Sequence, residues 1–272
     1  MQKVFNLTNK YIILLTPLIL YSLFSTLYLI ITASSNRLLN LIFAIFLFLL
    51  MTGAFISGWF NMIKNAIIYQ ERVDYNSLIK DFPSGVGEYF LTSLGAIVLI
   101  FTLILASIIC SYYIGINTIG NPNVPLENLI KAFQDTATLK NFVSELTIEQ
   151  ISKLNLWNIL ILSSVSLIYF LSMLFFPTIF FKNKNPIKAF FISLKNTFSK
   201  KIFKTVGIFL IIYVANFIIS LLLAIFSNNM FLHFLTTLLN FYFITIASVG
   251  IFYYYYTNFI NSDIGQNIDV RI

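Results

Sequence analysis

Few side chains of this 272-residue chain have the chemistry of a catalytic site. Ser57, in the stretch FISGWF, could act as a nucleophile, and His233, the single histidine, could act as its base. Phe55 stands where a GxSG motif would have its first glycine. A serine and its base must lie within hydrogen-bonding distance, and we expect these two residues at opposite ends of the helices that carry them. We therefore predict no catalytic pair.

The other polar residues do not form a metal or cofactor motif. The single cysteine, Cys110, permits no intramolecular disulfide. His, Cys, Asp and Glu do not cluster with the spacing of metal ligands, and neither a Walker A nor a dinucleotide-binding pattern occurs. We therefore expect no metal, no cofactor, no enzymatic activity and no nucleic-acid partner.

Positive charge is concentrated in residues 182–204, which contain seven lysines and no acidic residue. These lysines are Lys182, Lys184, Lys188, Lys195, Lys200, Lys201 and Lys204. Each lysine near an anionic leaflet contributes about 1 kcal/mol of attraction, so we predict that all seven contact lipid headgroups. The alternative is that they only set the topology and anchor the chain.

The same segment has the pattern of an amphipathic helix. Asn185 suits an N-cap and Pro186 a first helical position. The apolar residues behind them follow helical spacing on one face; they are Ile187, Phe190, Phe191, Leu194 and Phe198. A basic helix with an apolar face can lie flat at a membrane surface. We therefore predict a short interfacial helix here.

Uncharged polar and small residues occur inside long apolar runs. Asn216 and Asn240 fall at similar depth, and we predict a hydrogen bond between them, with substrate contact as the alternative. The small residues Gly53, Ala54, Ser57 and Gly58 have small-xxx-small spacing, which favours close helix approach within the protein or between copies. Two prolines, Pro17 and Pro177, should bend their helices.

Six uncharged apolar runs are long enough to cross the hydrocarbon core of a bilayer. They are residues 12–33, 38–60, 90–112, 156–181, 205–226 and 231–256. Their apolar residues are continuous rather than alternating, which favours helices over a barrel. We predict one all-α integral membrane domain over residues 1–272. The first run could be a signal peptide, but its length favours a retained span.

The distribution of basic residues predicts the orientation. If the N-terminus is cytoplasmic, 13 of the 17 Lys and Arg residues lie on the cytoplasmic side. Because Lys and Arg stay preferentially on that side, we predict that both termini are cytoplasmic. Aromatic residues at the run ends suggest membrane–water anchors; they are Trp59, Tyr112, Tyr113, Trp157 and the tyrosines of 253–256.

The two loops predicted on the cytoplasmic side, 61–89 and 182–204, suggest a common plan of span, short helix and span. In the first, Asp74 could cap a helix that Pro83 and Gly85 would end. A shift of 112 residues places Ile67 on Ile179, which is compatible with a duplicated hairpin. Acidic residues of the first loop could pair with lysines of the second, for example Glu88 with Lys200.

The predicted outer loop, 113–155, should hold two short helices. The first would start at Pro125, and the second would open with a capping box at 147–150. This loop would form either a packed outer cap or a functional lid.

The stretch 171–200 has a Phe-x-Pro end, a short polar break and then a helix pattern with small residues; the positions are Phe175, Phe176, Pro177, Pro186, Ala189 and Ser193. This pattern resembles one in a broad group of bacterial polytopic membrane proteins, which includes the membrane domains beside glycerophosphodiester phosphodiesterases. The resemblance implies a six-helix fold in a bacterial cytoplasmic membrane and provides no catalytic residue. Lysines stand here where that group often has an acidic residue.

These observations predict a non-enzymatic multi-pass membrane protein, a scaffold or accessory subunit that contacts anionic lipid. Its expected partners are membrane lipids and a further protein chain or a second copy. The alternative is a transporter or permease component for a neutral or amphiphilic substrate, based on the six spans, the two prolines and the two asparagines.

Overall fold

The structure is a computed structural model and describes residues 2–33, 38–69, 74–124, 138, 142 and 144–261. Its helices are α1 (Gln2–Lys10), α2 (Thr16–Ala33), α3 (Leu38–Ile68), α4 (Tyr75–Thr118), α5 (Ile148–Ser172), α6 (Phe175–Phe181), α7 (Pro186–Thr197), α8 (Ile202–Ile225) and α9 (Met230–Tyr255). A 3₁₀ turn (Ile12–Leu15) precedes α2, and a π-helical turn (Tyr256–Ile260) follows α9. The described residues contain no strand.

Six helical segments within these ranges are long and apolar enough to cross a membrane. They are Ile12–Thr32, Ile42–Ile68, Tyr75–Thr118, Ile148–Phe181, Ile202–Ile225 and Met230–Ile260. About 20 apolar helical residues cover the thickness of the hydrocarbon core. The predicted all-α class and the six membrane-spanning segments are therefore confirmed, and the chain has the character of a multi-pass membrane protein.

The predicted end of a short helix at Pro83 and Gly85 is wrong, because α4 continues through both residues. Proline removes the N–H that would bond to the carbonyl four residues earlier, which usually bends or breaks a helix. Here α3 packs closely on this part of α4. The Asn61 amide donates to the Asp81 carbonyl at 2.9 Å, and Gly85 lies directly against the Ser57 carbonyl oxygen.

The two prolines predicted to bend their helices, Pro17 and Pro177, lie near helix starts. Pro17 is the second residue of α2, directly after the 3₁₀ turn. Pro177 lies in the first turn of α6, after a break at Met173 and Leu174 that separates α6 from α5. Because a proline lacks the N–H that a helix interior uses, both residues occupy first turns, where that group has no intrahelical acceptor.

The capping box at 147–150 is present. The Thr147 N–H donates to the Gln150 side chain at 3.0 Å, and the Gln150 N–H donates to the Thr147 hydroxyl at 3.2 Å. It opens the 25-residue helix α5, so the prediction of a second short helix is wrong. The helix predicted from Pro125 lies outside the described residues.

The chain divides into two compact units, residues 100–170 and residues 1–99 with 171–272. In the first, the Trp157 indole N–H donates to the Gly120 carbonyl at 3.0 Å. In the second, the core is aromatic, and Trp59, Phe252 and Tyr255 are buried within it. The Trp59 indole N–H donates to the Leu14 carbonyl at 2.8 Å. The prediction that Trp59 is an interfacial anchor is therefore wrong.

Candidate functional site

The basic segment starts in a short connection between α6 and α7 that is fixed by backbone hydrogen bonds. The N–H groups of Lys182 and Asn183 both donate to the Thr178 carbonyl, at 2.9 and 3.0 Å. The predicted cap of α7 is confirmed, since the Asn185 side chain accepts from the Lys188 N–H at 3.1 Å and Pro186 is the first helical residue. The connection therefore holds its lysines at defined positions.

Helix α7 packs on the protein with small residues rather than with its aromatic side. Ala189, Ser193 and Thr197 are fully buried. The Ser193 and Thr197 hydroxyls donate to carbonyls of α7 itself, at 2.7 and 3.0 Å, so their burial leaves no donor unpaired. This four-residue spacing forms one stripe along the helix and allows close approach to the neighbouring helices.

The apolar side of α7 is largely exposed. Ile187, Phe191 and Phe198 expose 59%, 65% and 59% of their surfaces. Phe190 and Leu194, which lie closer to the buried stripe, are half-buried, and the Phe190 ring meets the Phe175 ring edge-on at 5.6 Å. A row of exposed aromatic and branched side chains on one helix is typical of a surface that contacts a membrane or another protein.

The seven lysines do not have one common environment. Lys201 is half-buried, where its ammonium donates to the Asn258 carbonyl and lies 5.2 Å from the centre of the Phe259 ring. This lysine holds the π-helical turn and is therefore part of the packing.

Lys184 is engaged in another way. Its ammonium lies 2.8 Å from a Glu88 carboxylate oxygen and 5.1 Å from the centre of the Tyr89 ring. Glu88 thus pairs with Lys184, and the predicted pairing of Glu88 with Lys200 is wrong. The start of the basic segment lies closer to Glu88 because α4 is continuous there.

Four further lysines are exposed and have no ion pair with the described residues. They are Lys188, Lys195, Lys200 and Lys204. In α7, Lys188 and Lys195 lie seven residues apart, which places them along one edge of the exposed apolar face. This arrangement leaves cationic groups beside aromatic side chains, both directed away from the core.

A cavity of about 380 Å³ adjoins the basic segment. Lys64 at the end of α3, Tyr89 of α4, Lys182 and Lys184 line it, together with aromatic and branched side chains of α6 and the π-helical turn. The described lining residues include three lysines and no carboxylate. The cavity is therefore electropositive on one side and apolar on the other.

Two ammonium groups approach the same ring in this cavity. The Lys64 ammonium donates to the Tyr89 hydroxyl at 2.9 Å and lies 5.2 Å from its ring centre, while Lys184 lies 5.1 Å from that centre. Phe180 stacks on Tyr89 at 4.4 Å and fixes the ring plane. Tyr89 therefore contacts two ammonium groups of like charge.

Sequence reasoning treated Lys64 only as a loop residue. The reason is that the second apolar run ends at residue 60, whereas α3 continues to Ile68. Lys64 therefore lies on a helix that packs against Tyr89. The apolar residues Met62, Ile63, Ala66 and Ile67 continue the helical spacing that starts at Trp59, and this pattern in NMIKNAII was the available signal of continued helix.

The predicted small-residue set lies where α3 and α4 pack closely. A Cβ atom added to Gly53 would lie 2.6 Å from Leu94, and one added to Gly58 would lie 2.7 Å from the Phe82 ring. Ser57 is buried, and its hydroxyl donates to the Gly53 carbonyl at 2.6 Å. Ala54 lies one residue from Gly53 and is half-buried. The Ser57 hydroxyl is thus held by its own helix.

The structure does not pair the two intramembrane asparagines. Asn216 is exposed on α8 and Asn240 is half-buried on α9, and no hydrogen bond joins them. The predicted bond between them is therefore wrong. The polar contact between these helices lies nearer the basic segment, where the Thr205 and Tyr254 hydroxyls are 2.9 Å apart.

No protein-family model matches this chain, and neither a curated protein nor a solved structure matches it. The resemblance to the membrane domains beside glycerophosphodiester phosphodiesterases is therefore still an expectation from the sequence. The described residues contain no group of three or more His, Cys, Asp or Glu side chains that could hold a metal ion.

Proposed function

We propose that this chain is a non-enzymatic membrane protein, a scaffold or accessory subunit, that contacts anionic lipid through residues 182–204. The observation that carries the proposal is the exposed apolar face of α7, bordered by Lys188 and Lys195. In this proposal Phe191 and its neighbours enter the interfacial region, while the ammonium groups reach the headgroups. The positive-inside bias supports a cytoplasmic location for this surface and both termini, and the resemblance of residues 171–200 supports a bacterial cytoplasmic membrane.

The lipid contact is tested by counting retained anionic lipids. The triple variant Lys188→Gln, Lys195→Gln and Lys200→Gln removes three exposed charges, and Lys201 is left intact because it holds the π-helical turn. Native mass spectrometry of protein extracted from vesicles of phosphatidylcholine and phosphatidylglycerol should show fewer phosphatidylglycerol adducts. Each charge contributes about 1 kcal/mol near an anionic surface.

A matched variant controls for net charge. The changes Lys3→Gln, Lys80→Gln and Lys153→Gln also remove three charges from exposed or half-buried positions outside the basic segment. This variant should keep most of its phosphatidylglycerol adducts. Equal losses in the two triple variants would contradict lipid contact by the basic segment and favour a role in topology alone.

The accessory role is supported by Asn216. An exposed amide in the middle of an apolar span needs a hydrogen-bond partner when lipid surrounds it. We propose a polar side chain of a helix from another protein as that partner. Asn216→Leu should release a co-purifying chain without changing the thermal stability of this one. Asn240→Leu, at a half-buried position, is the comparison.

The alternative, a permease component, makes a different prediction for the same variant. If Asn216 contacts a neutral or amphiphilic substrate, Asn216→Leu should abolish flux in vesicles that contain only this chain. Flux that persists in that variant, together with loss of a co-purifying chain, would support the accessory role.

A further inference from the structure

We propose that the cavity beside Tyr89 binds a phosphate group, with Lys64, Lys182 and Lys184 as its cationic ligands. This inference rests on the proposed function, since two of these lysines belong to the basic segment. It adds a discrete site to that surface. The site differs from the exposed face of α7 because its lysines converge on a cavity instead of bordering an exposed helix face.

Lys64 provides the strongest reason for an anion. It is half-buried, and its hydrogen bond in the described structure is to the Tyr89 hydroxyl. An ammonium has three N–H donors, and removing it from water is costly unless an opposite charge compensates. The carboxylates that act on Lys64 are Glu88 and Asp81, and neither forms an ion pair with it.

The local charge balance also favours an anion. The ammonium groups of Lys64 and Lys184 lie at the same ring, and the Glu88 carboxylate forms an ion pair with Lys184 but not with Lys64. Glu88 itself is not among the lining residues. These two lysines therefore carry one positive charge more than their paired carboxylate balances, and a bound anion would reduce the repulsion between them.

The arrangement of donors suits a phosphate group. Lysine ammonium groups bind phosphate as point charges, and several of them can contact different oxygens of one group. The volume of about 380 Å³ is within the range of small-molecule pockets. Phe181, Tyr256 and Ile260 form an apolar side of the lining, which suits the carbon chain of a phosphate ester.

The test uses two probes that separate a lipid source from a soluble one. Delipidated full-length protein in neutral detergent is titrated with dioleoyl phosphatidic acid, followed by native mass spectrometry, and separately with inorganic phosphate, followed by calorimetry. We expect one saturable phosphatidic acid site, and inorganic phosphate should displace the lipid. Binding of inorganic phosphate alone would assign the site to a soluble phosphate.

Lys64→Gln should weaken binding of the effective probe about tenfold, because one charge-assisted hydrogen bond is lost. Lys64→Arg should restore most of the affinity because it keeps the charge. Glu88→Gln should tighten binding about threefold, since it removes the neighbouring negative charge. The control Lys153→Gln changes a lysine paired with Glu149 elsewhere in the chain and should have no effect.

The outcomes separate this site from the proposed function. If the triple variant at Lys188, Lys195 and Lys200 loses phosphatidylglycerol adducts but keeps the single phosphate site, both proposals stand. If Lys64→Gln folds with normal thermal stability and binds both probes as the wild type does, the cavity proposal is wrong. If Lys64→Gln does not fold, Lys182→Gln at an exposed position replaces it, and unchanged binding by that variant overturns the proposal.

Discussion

The helix boundaries between α3 and α4 match those between α6 and α7, but the helices that follow, α4 and α7, differ in length. Under a shift of 112 residues, the end of α3 at Ile68 falls one residue before the end of α6 at Phe181. Under the same shift, the start of α4 at Tyr75 falls one residue after the start of α7 at Pro186. After these similar starts, α4 continues for 44 residues, whereas α7 ends after 12.

The difference shows that the effect of a proline on a helix depends on its position in that helix. Pro186 is the first residue of its helix, where the missing N–H has no intrahelical acceptor. Pro83 is inside α4. There the Asn61 amide of α3 donates to the Asp81 carbonyl, and Gly85 lies close against α3. The helix around Pro83 is thus stabilised by packing on α3, and the start of α7 by capping.

The two regions also differ in charge. The start of α4 contributes Asp81 and Glu88 beside Lys64 of α3, whereas the charged residues of the basic segment 182–204 are all lysines. The Glu88–Lys184 pair joins them. Because one carboxylate pairs with one lysine, most of the basic segment is left for contacts outside the chain.

The largest expected effect concerns the packing of α4 against α3 at Gly85. A Cβ atom at Gly85 would lie 2.5 Å from Asn61 Cβ and 2.6 Å from the Ser57 carbonyl oxygen, so Gly85→Ala should lower the free energy of unfolding by about 1–3 kcal/mol. At Gly87 the same atom would meet nothing within 4 Å, and Gly87→Ala should stabilise by up to about 1 kcal/mol. Unfolding in mixed micelles measures the change in the free energy of unfolding for both variants. Changes of the same sign would contradict the close packing at Gly85.

A smaller effect should separate two adjacent lysines of the basic segment, Lys200 and Lys201, which lie directly before α8. Lys201→Gln loses the hydrogen bond to Asn258 and the contact with the Phe259 ring, so we expect a loss of about 1–2 kcal/mol. Lys200→Gln, at an exposed neighbour, should stay within about 0.5 kcal/mol of the wild type. Thermal unfolding of the two variants in the same detergent distinguishes them. Similar losses would show that Lys201 has no structural role.

The smallest expected effects compare the two prolines directly. Pro83→Ala restores an N–H that can donate within α4, so we expect a gain of about 1 kcal/mol in the free energy of unfolding. Pro186→Ala loses the fixed φ angle at a helix start, and a loss of about 0.5–1 kcal/mol should follow. Unfolding curves recorded side by side provide the comparison. A loss at both positions would mean that the packing of α4 on its neighbours requires proline at position 83.

The sequence predicts the features that depend on local chemistry. The long uncharged runs specify membrane-spanning helices because a span must satisfy its backbone internally. Asn185 and Thr147 have the side chains that cap helices, and the structure places both as caps. In each case the residue and its partner lie within four positions along the chain.

Features that depend on distant partners could not be predicted in this way. The continuity of α4 requires Asn61 of another helix, and the burial of Trp59 depends on a carbonyl 45 residues earlier. The cavity combines Lys64 with Lys182 and Lys184, which meet only when α3 and α6 end side by side. The hydropathy of α7 also gives its apolar character, but it does not indicate that the small residues of this helix face the core.

The most direct test of the central claim is the depth of Phe191 in a lipid bilayer. In a Cys110→Ser background, nitroxide labels are placed at Phe191→Cys and at Lys195→Cys, and the protein is reconstituted into vesicles of phosphatidylcholine and phosphatidylglycerol. If α7 lies in the interface, the Phe191 label should be relaxed mainly by oxygen, which concentrates in lipid, and the Lys195 label more by a water-soluble nickel chelate. Equal, strong relaxation of both labels by the nickel chelate would show that the apolar face of α7 does not contact lipid.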